Sequence, residues 1–472
     1  MKNHLLLLLS VLYSNFFMGQ IPCENGFAGA FPCDKYNLIS QIPLSVMNSV
    51  KANDSWGWTD PLDGKEYAII CLNEATAFID ISDPINPEYL GQLPGNSPDH
   101  TTWRDAKTYN NYAFIVSEDS NHGMQVFDLT RLRNVVNPPV IFNEDAIYTG
   151  FGSSHNIAIN EATGFAYVIG SSTYQGGAHF IDISNPVNPV GAGGYATNGY
   201  THDAQIVIYN GPDTDYQGRE IMFSSNETEV AIVDVTDKLN PTNISTIDYT
   251  NVAYTHQGWL TEDHRYFLLG DESDEIDFGT NSRTLIFDFE DLDNPQLHFE
   301  HYWPTSATDH NGYVKGTKFY LANNAAGLRV LDISEIDNFI VTEDGYFDSY
   351  PSNNSAGFNG SWNVYPYFES GNIVISDRAQ GFLLVSLSNP LSIQDNTIST
   401  FKVFPNPVSE VLSVVLNSEG INSIKIIDLT GKIVFSETFE GNFKEEISLN
   451  NLESGIYLLK VNGFPAQKLI KK

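Results

Sequence analysis

Basic residues are scarce in this sequence. Lys and Arg number 24 against 58 Asp and Glu, a formal net charge of −34 over 472 residues. A field of that sign repels phosphate backbones and anionic headgroups, so nucleic acid and anionic lipid surfaces are excluded as partners. Long apolar runs are missing too. Beyond the first twenty residues nothing approaches the ~18 consecutive apolar residues of a membrane-spanning helix, and no transmembrane segment is expected in the mature chain. There is no Gly-x-Ser-x-Gly elbow, no His-Glu-x-x-His and no phosphate-binding glycine loop, so hydrolase or nucleotide chemistry of those kinds has no support. Cysteine occurs three times. Cys71 lies in the apolar run Tyr67-Ala-Ile-Ile-Cys-Leu and reads as a buried thiol.

The N-terminus sets the compartment. Lys2 and His4 precede the apolar run Leu5 to Leu12, and Phe16, Phe17 and Met18 lead to Gly19. Residues 1–19 read as a secretory signal cut near Gly19 and Gln20. In the oxidising compartment that follows, Cys23 and Cys33 are expected to form a disulfide that pins the new N-terminus. The acidity reads as a solvated, salt-tolerant surface, with attraction of calcium as the alternative.

One phrase recurs along the chain: an apolar pair, Asp, an apolar residue and a small polar residue. It appears as Phe78-Ile-Asp-Ile-Ser, Val126-Phe-Asp-Leu-Thr, Phe180-Ile-Asp-Ile-Ser, Ile232-Val-Asp-Val-Thr, Ile286-Phe-Asp-Phe-Glu and Val330-Leu-Asp-Ile-Ser, with a degenerate copy at Leu384-Val-Ser-Leu-Ser. Asp80, Asp128, Asp182, Asp234, Asp288, Asp332 and Ser386 follow one another at 44 to 54 residues. Each interval holds short runs rich in Val, Ile, Phe and Tyr bounded by Gly, Asn and Pro, and helical periodicity is nearly absent. About four strands fit each unit, the content of a propeller blade. The prediction is an all-β chain with a seven-bladed β-propeller over residues 20–390. The repeated Asp is expected to bind backbone N–H groups at strand ends, and the Asn-Pro pairs that follow, such as Asn86-Pro87 and Asn240-Pro241, to make turns.

After a polar linker at 391–400, apolar and polar residues alternate, as in Val411-Leu-Ser-Val-Val-Leu and Ser423-Ile-Lys-Ile-Ile-Asp. That pattern predicts a small antiparallel β-sandwich over 401–472. Phe404-Pro-Asn-Pro-Val408, Asp428-Leu-Thr-Gly-Lys432, Leu452-Glu-Ser-Gly-Ile-Tyr-Leu-Leu-Lys460 and the basic end Lys468-Leu-Ile-Lys-Lys472 closely resemble the type A sorting domain of the Bacteroidetes type IX secretion system. The resemblance implies that residues 401–472 engage that machinery. The cargo would pass through the periplasm to be secreted or held at the outer-membrane surface.

A second phrase precedes each Asp phrase: Pro98-Asp-His100, Ser153-Ser-His155, Tyr200-Thr-His202, Tyr254-Thr-His256 and Thr308-Asp-His310. Trp56 and Trp362, each 24 residues before Asp80 and Ser386, stand in for His in the other two units. Equivalent positions in a propeller share one radius and height, so these side chains are expected to ring the axis. His100, His155, His202, His256 and His310 are therefore candidate ligands of a transition metal, with Asp99, Asp203 and Asp309 as further ligands or as groups that orient them. The alternative is a repeated structural role, with ring nitrogens bonded to neighbouring backbone. His122, His179, His264, His298 and His301 follow no register and read as surface residues. Glu74, Glu118, Glu227 and Glu272 recur after the second strand and read as solvated turn residues able to receive calcium or pair with a ring His. The loop Asp271 to Asp277 has the charge of a calcium loop without the EF-hand Gly and Glu.

The Cys23 to Cys33 opening with its Gly-Phe-Ala-Gly, the His-Thr-Thr-Trp103 and Ser-His-Asn-Ile157 phrases and the Phe-Ile-Asp-Ile-Ser-Asn-Pro186 repeat resemble the choice-of-anchor B family, whose blades carry LVIVD-type repeats. That resemblance implies an exported propeller-like body joined to a C-terminal surface anchor and supplies no activity. Two functions are expected from the residues: a surface module binding a protein, glycan or peptide, or a metal-binding protein or metalloenzyme using the His ring.

Overall fold

The computed structural model describes residues 20–99, 102–388, 401–416, 420–428, 432–462, 464 and 467–472. The expected signal at 1–19, His100, the linker 391–400 and the centre of the Asp428 to Lys432 motif lie outside them. The chain divides into two compact units, at Ser388 and Asn389.

The apolar runs of the first unit form seven antiparallel sheets, each with a four-stranded core. The innermost strands are Ala52–Thr59, Arg104–Tyr109, Asn156–Asn160, Asp203–Ile208, Thr255–Leu260, Gly312–Lys315 and Ser361–Tyr365, numbered here as blades one to seven. Because successive side chains of a strand point to opposite faces, each sheet feeds two cores. In the second strand of blade one, Tyr67, Ile69 and Cys71 pack toward blade two, whereas Ala68, Ile70 and Leu72 pack toward blade seven. All seven junctions carry such a core, the seam between blades seven and one included. Burial on both faces is why these strands read as continuous apolar runs, each large side chain contributing about 1.5–3 kcal/mol.

The ring closes through the N-terminus. Tyr36–Ile42 is the outermost strand of blade seven, pairing Leu38 with Val385. Just before it, the hairpin Phe27–Ala28 and Phe31–Asp34 extends blade six, and a disulfide joins Cys23 to Cys33. All six repeated aspartates end a third strand and accept the backbone N–H two residues on, from Ser82, Thr130, Ser184, Thr236, Glu290 and Ser334. Gly91 lies in the fourth strand of blade one at φ +141, where a Cβ would fall 2.0 Å from the Val140 carbonyl oxygen. Only glycine fits that approach.

The second unit is a sandwich of a three-stranded and a four-stranded antiparallel sheet around Phe401, Leu412, Val414, Ile424, Ile426, Leu459 and Leu469. Asn406, in the Phe-Pro-Asn-Pro motif, donates to the Lys468 carbonyl and accepts from Ile470 N–H, tying the basic terminus to the sheet. Among the described residues no helix is long and apolar enough to cross a membrane.

Candidate functional site

The inner strands all begin at the same mouth of the propeller, and their first residues build it. Backbone N–H groups of His155, His202 and His310 donate to Ile169, Ser225 and Ala322 of the adjacent second strands, which fixes each residue at the start of its blade. The rings then touch in sequence. Centroid separations are 4.3 Å for His155 and His202, 4.4 Å for His202 and His256, 4.5 Å for His256 and His310, 4.1 Å for His310 and Trp362, and 4.9 Å for Trp362 and Trp103. The arc surrounds a cavity of about 200 Å³ also lined by Glu272 and Phe358. The Arg378 guanidinium lies 5.3 and 5.2 Å from the Trp103 and Trp362 rings.

Two of the imidazoles are oriented by the next blade. His202 Nδ1 donates to the His256 carbonyl at 3.1 Å and His310 Nδ1 to the Trp362 carbonyl at 2.7 Å. His256 Nδ1 is buried and has no hydrogen-bond partner among the described residues. A carbonyl accepts only, so in His202 and His310 Nδ1 carries the proton and Nε2 of the neutral ring keeps its lone pair. Glu272 faces the Nε2 side of two rings, its carboxylate oxygens 3.7 Å from His256 Nε2 and 3.5 Å from His310 Nε2. One ligand atom each from His202, His256 and Glu272 lies within 4.8 Å of the other two. Burial, then the neighbouring imidazoles, holds His202, His256 and His310 well below the usual range, so all three are neutral at pH 7. Burial pushes the Glu272 carboxyl up to about 7. At the end of the arc, His155 Nδ1 lies 2.6 Å from Glu118 Oε1.

Four of the five predicted histidines are therefore brought together, and the fifth, His100, lies outside the described residues. Trp56 is a correction. In blades five and seven the ring residues His256 and Trp362 occupy a bulge at the strand start, whereas the blade-one bulge holds Asn53 and Asp54. Trp56 lies beyond that bulge, lining a separate pocket with Tyr313 and Tyr365. Trp103, not expected at the mouth, stacks on Trp362; its place 25 residues before Asp128 was the available signal. Two histidines read as surface residues are buried. His122 Nδ1 lies 2.9 Å from the Gly123 carbonyl and its Nε2 accepts from Arg104 at 2.7 Å, and His179 sits between Thr173 and Tyr148 hydroxyls. Of the recurring glutamates, Glu118 and Glu272 pair with ring histidines. The acidic loop is not arranged around a cation: Asp271 accepts N–H groups of Ala253 and Tyr254, and Asp274 pairs with Arg283 at 2.8 Å. Asp203 and Asp309 do not join the histidines in the three-ligand cluster.

Seven sheets with four-stranded cores, packed face to face in a closed ring, define a β-propeller. Residues 402–472 match the family of secretion system C-terminal sorting domains, so the protein is exported through the type IX system to the cell surface or beyond. No curated protein matches the chain. Its similarity to solved structures is distant. A protein from Lactobacillus plantarum is 12% identical with a TM-score of 0.44, over 84% of this chain and 99% of that one. The Myceliophteria thermophila Cps50 (Swd1) β-propeller domain is 9% identical with a TM-score of 0.43, over 68% and 94%. The WD40 domain of Toxoplasma gondii coronin is 10% identical with a TM-score of 0.47, over 73% and 83%.

Proposed function

We propose that the protein is a surface-displayed binding module built around a first-row transition-metal ion. The ion is held by His202, His256 and Glu272, with His310 and His155 beside them. The observation that carries this reading is the approach of three ligand atoms to within 4.8 Å of one another, one of them on an imidazole, His202, whose Nδ1 donates to backbone. Two imidazoles and a carboxylate suit zinc, iron, nickel or copper and leave coordination positions open to the cavity. There a metal supplies a Lewis-acidic attachment point, and Trp103, Trp362 and Phe358 supply apolar contact for a protein, glycan or peptide ligand. Residues 1–19 would start export as a signal peptide, and the likeness of the repeats to the LVIVD type supports kinship with the choice-of-anchor B group. Elemental analysis of mature protein purified without a His tag tests the reading. At least one equivalent of a transition metal is expected, falling at least tenfold in the His202→Asn/His256→Asn double variant. Metal-free protein that takes up none of these ions on dialysis defeats it.

A further inference from the structure

The inner strands also end together, and at that end they enclose a second pocket of about 510 Å³ that the histidine mouth does not use. One side of it is aliphatic, with Ile157, Ile159 and Ile206, and the other is aromatic. Trp56 packs edge-on against Tyr365 at 5.1 Å and Tyr313 at 5.9 Å, Trp259 against Tyr313 at 4.9 Å, and Tyr365 against Tyr367 at 5.5 Å. Blades one, five, six and seven each contribute, so the five rings form a cage and not a flat stacking platform. Trp56, Trp259, Tyr365 and Tyr367 keep part of their surface accessible.

The charges in and around the cage are unbalanced. Asp54 and Asp203 line it from below, and Glu161 and Glu262 stand exposed at its edge. The one lysine in it, Lys107, bonds Asp105 at 2.7 Å and lies 4.6 Å from the Trp56 ring centroid, so a cation already rests on one ring of the cage. Asn311 and Asn363 amides satisfy Asp54. Asp203 remains partly accessible, and among the described residues its only hydrogen bond is from the neighbouring Ala204 N–H. Aromatic faces and carboxylates both present negative potential, and together they favour an ammonium over a neutral or anionic group.

We propose that this cage binds a small organic cation, a primary or quaternary amine, with the ammonium between Asp203 and the face of Trp259. The volume accommodates a chain of several carbons behind the charged head. The site is separate from the histidine mouth and does not depend on the metal reading.

Titration of the full chain with 1,5-diaminopentane and with choline, followed by tryptophan fluorescence and calorimetry, tests it. Saturable binding of at least one amine is expected, weakened tenfold or more in Asp203→Asn and in Trp259→Leu, while metal content at the other mouth is unchanged. Trp259→Leu alters a partly buried side chain and keeps an apolar residue there, so it decides the matter if Asp203→Asn fails to fold. The proposal is overturned by no saturable amine binding, by binding that both variants retain in full, or by saturation with cellobiose or N-acetylglucosamine but with neither amine.

Discussion

Glu220 shows what a single buried charge demands in this protein. Its carboxylate accepts from Asn160, Thr163 and Tyr167 at 2.6 to 2.8 Å, and Lys238 reaches it at 2.7 Å across a side chain only 11% exposed. Removing one partner of such a pair strands the other, at about 3–5 kcal/mol. Lys238→Met is expected to lower the unfolding free energy by about that much, and adding Glu220→Gln to recover part of it, as read by urea denaturation. His122 supplies a pH dependence. Burial, and then the adjacent Arg104, hold it down to about 4 in the folded protein, against 6.5 for an unperturbed imidazole. Between those values the unfolded chain takes up a proton that the folded protein refuses. The contribution of His122 is therefore intact above pH 6.5 and is lost as pH falls toward 4, at about 1.4 kcal/mol per pH unit. Denaturation at pH 7 and pH 5 should show a larger acid loss in the wild type than in His122→Asn. Equal losses would mean that the ring is protonated in place.

Among the elements, the N-terminal segment carries the most consequence for its length. Tyr36–Ile42 supplies the fourth strand of blade seven, and without it the apolar seam from Ile39 and Ile42 to Phe382 and Leu384 would be exposed. The preceding hairpin is held to blade six by the pairing of Cys33 with Phe347 and to the rest of the N-terminus by the disulfide. A cross-link closing a loop of that size restricts the unfolded chain by about 3 kcal/mol. Cys23→Ser/Cys33→Ser is expected to unfold at lower denaturant, and the wild type under reducing conditions to match it. An unchanged midpoint would show that strand pairing alone holds the closure.

For the whole molecule, the two units divide the work. The sandwich carries the export address, and the propeller carries both mouths. A chain ending at Ser388 is expected to fold, because every blade and every inter-blade core lies before that residue. In a host with the type IX machinery it should collect in the periplasm, and residues 401–472 fused to a foreign periplasmic domain should carry that domain out. Fractionation and immunoblotting read both outcomes. Export of the truncated chain would place the address elsewhere.

The number of blades, their strand content, the strand-end role of the repeated Asp and the sorting domain were all legible in the sequence. They rest on local chemistry repeated at a fixed period: apolar runs buried on both faces, a carboxylate two residues from the N–H it binds, and turns at Asn-Pro. Four of the five ring histidines were placed for the same reason. What the sequence could not supply was decided by register and by loop length. Distances from ring residue to repeated Asp run from 22 residues at His310 to 32 at His202 and His256, so offset alone could not choose between His100 and Trp103. A bulge in blade one sent Trp56 past the histidine mouth into the aromatic cage. Glu272 meets His256 and His310 only across a blade boundary, and His122 is buried only because Arg104 and the Gly123 carbonyl take its two nitrogens. Contacts between blades depend on how strands stack around the axis, and that is a property of the closed ring rather than of any one repeat.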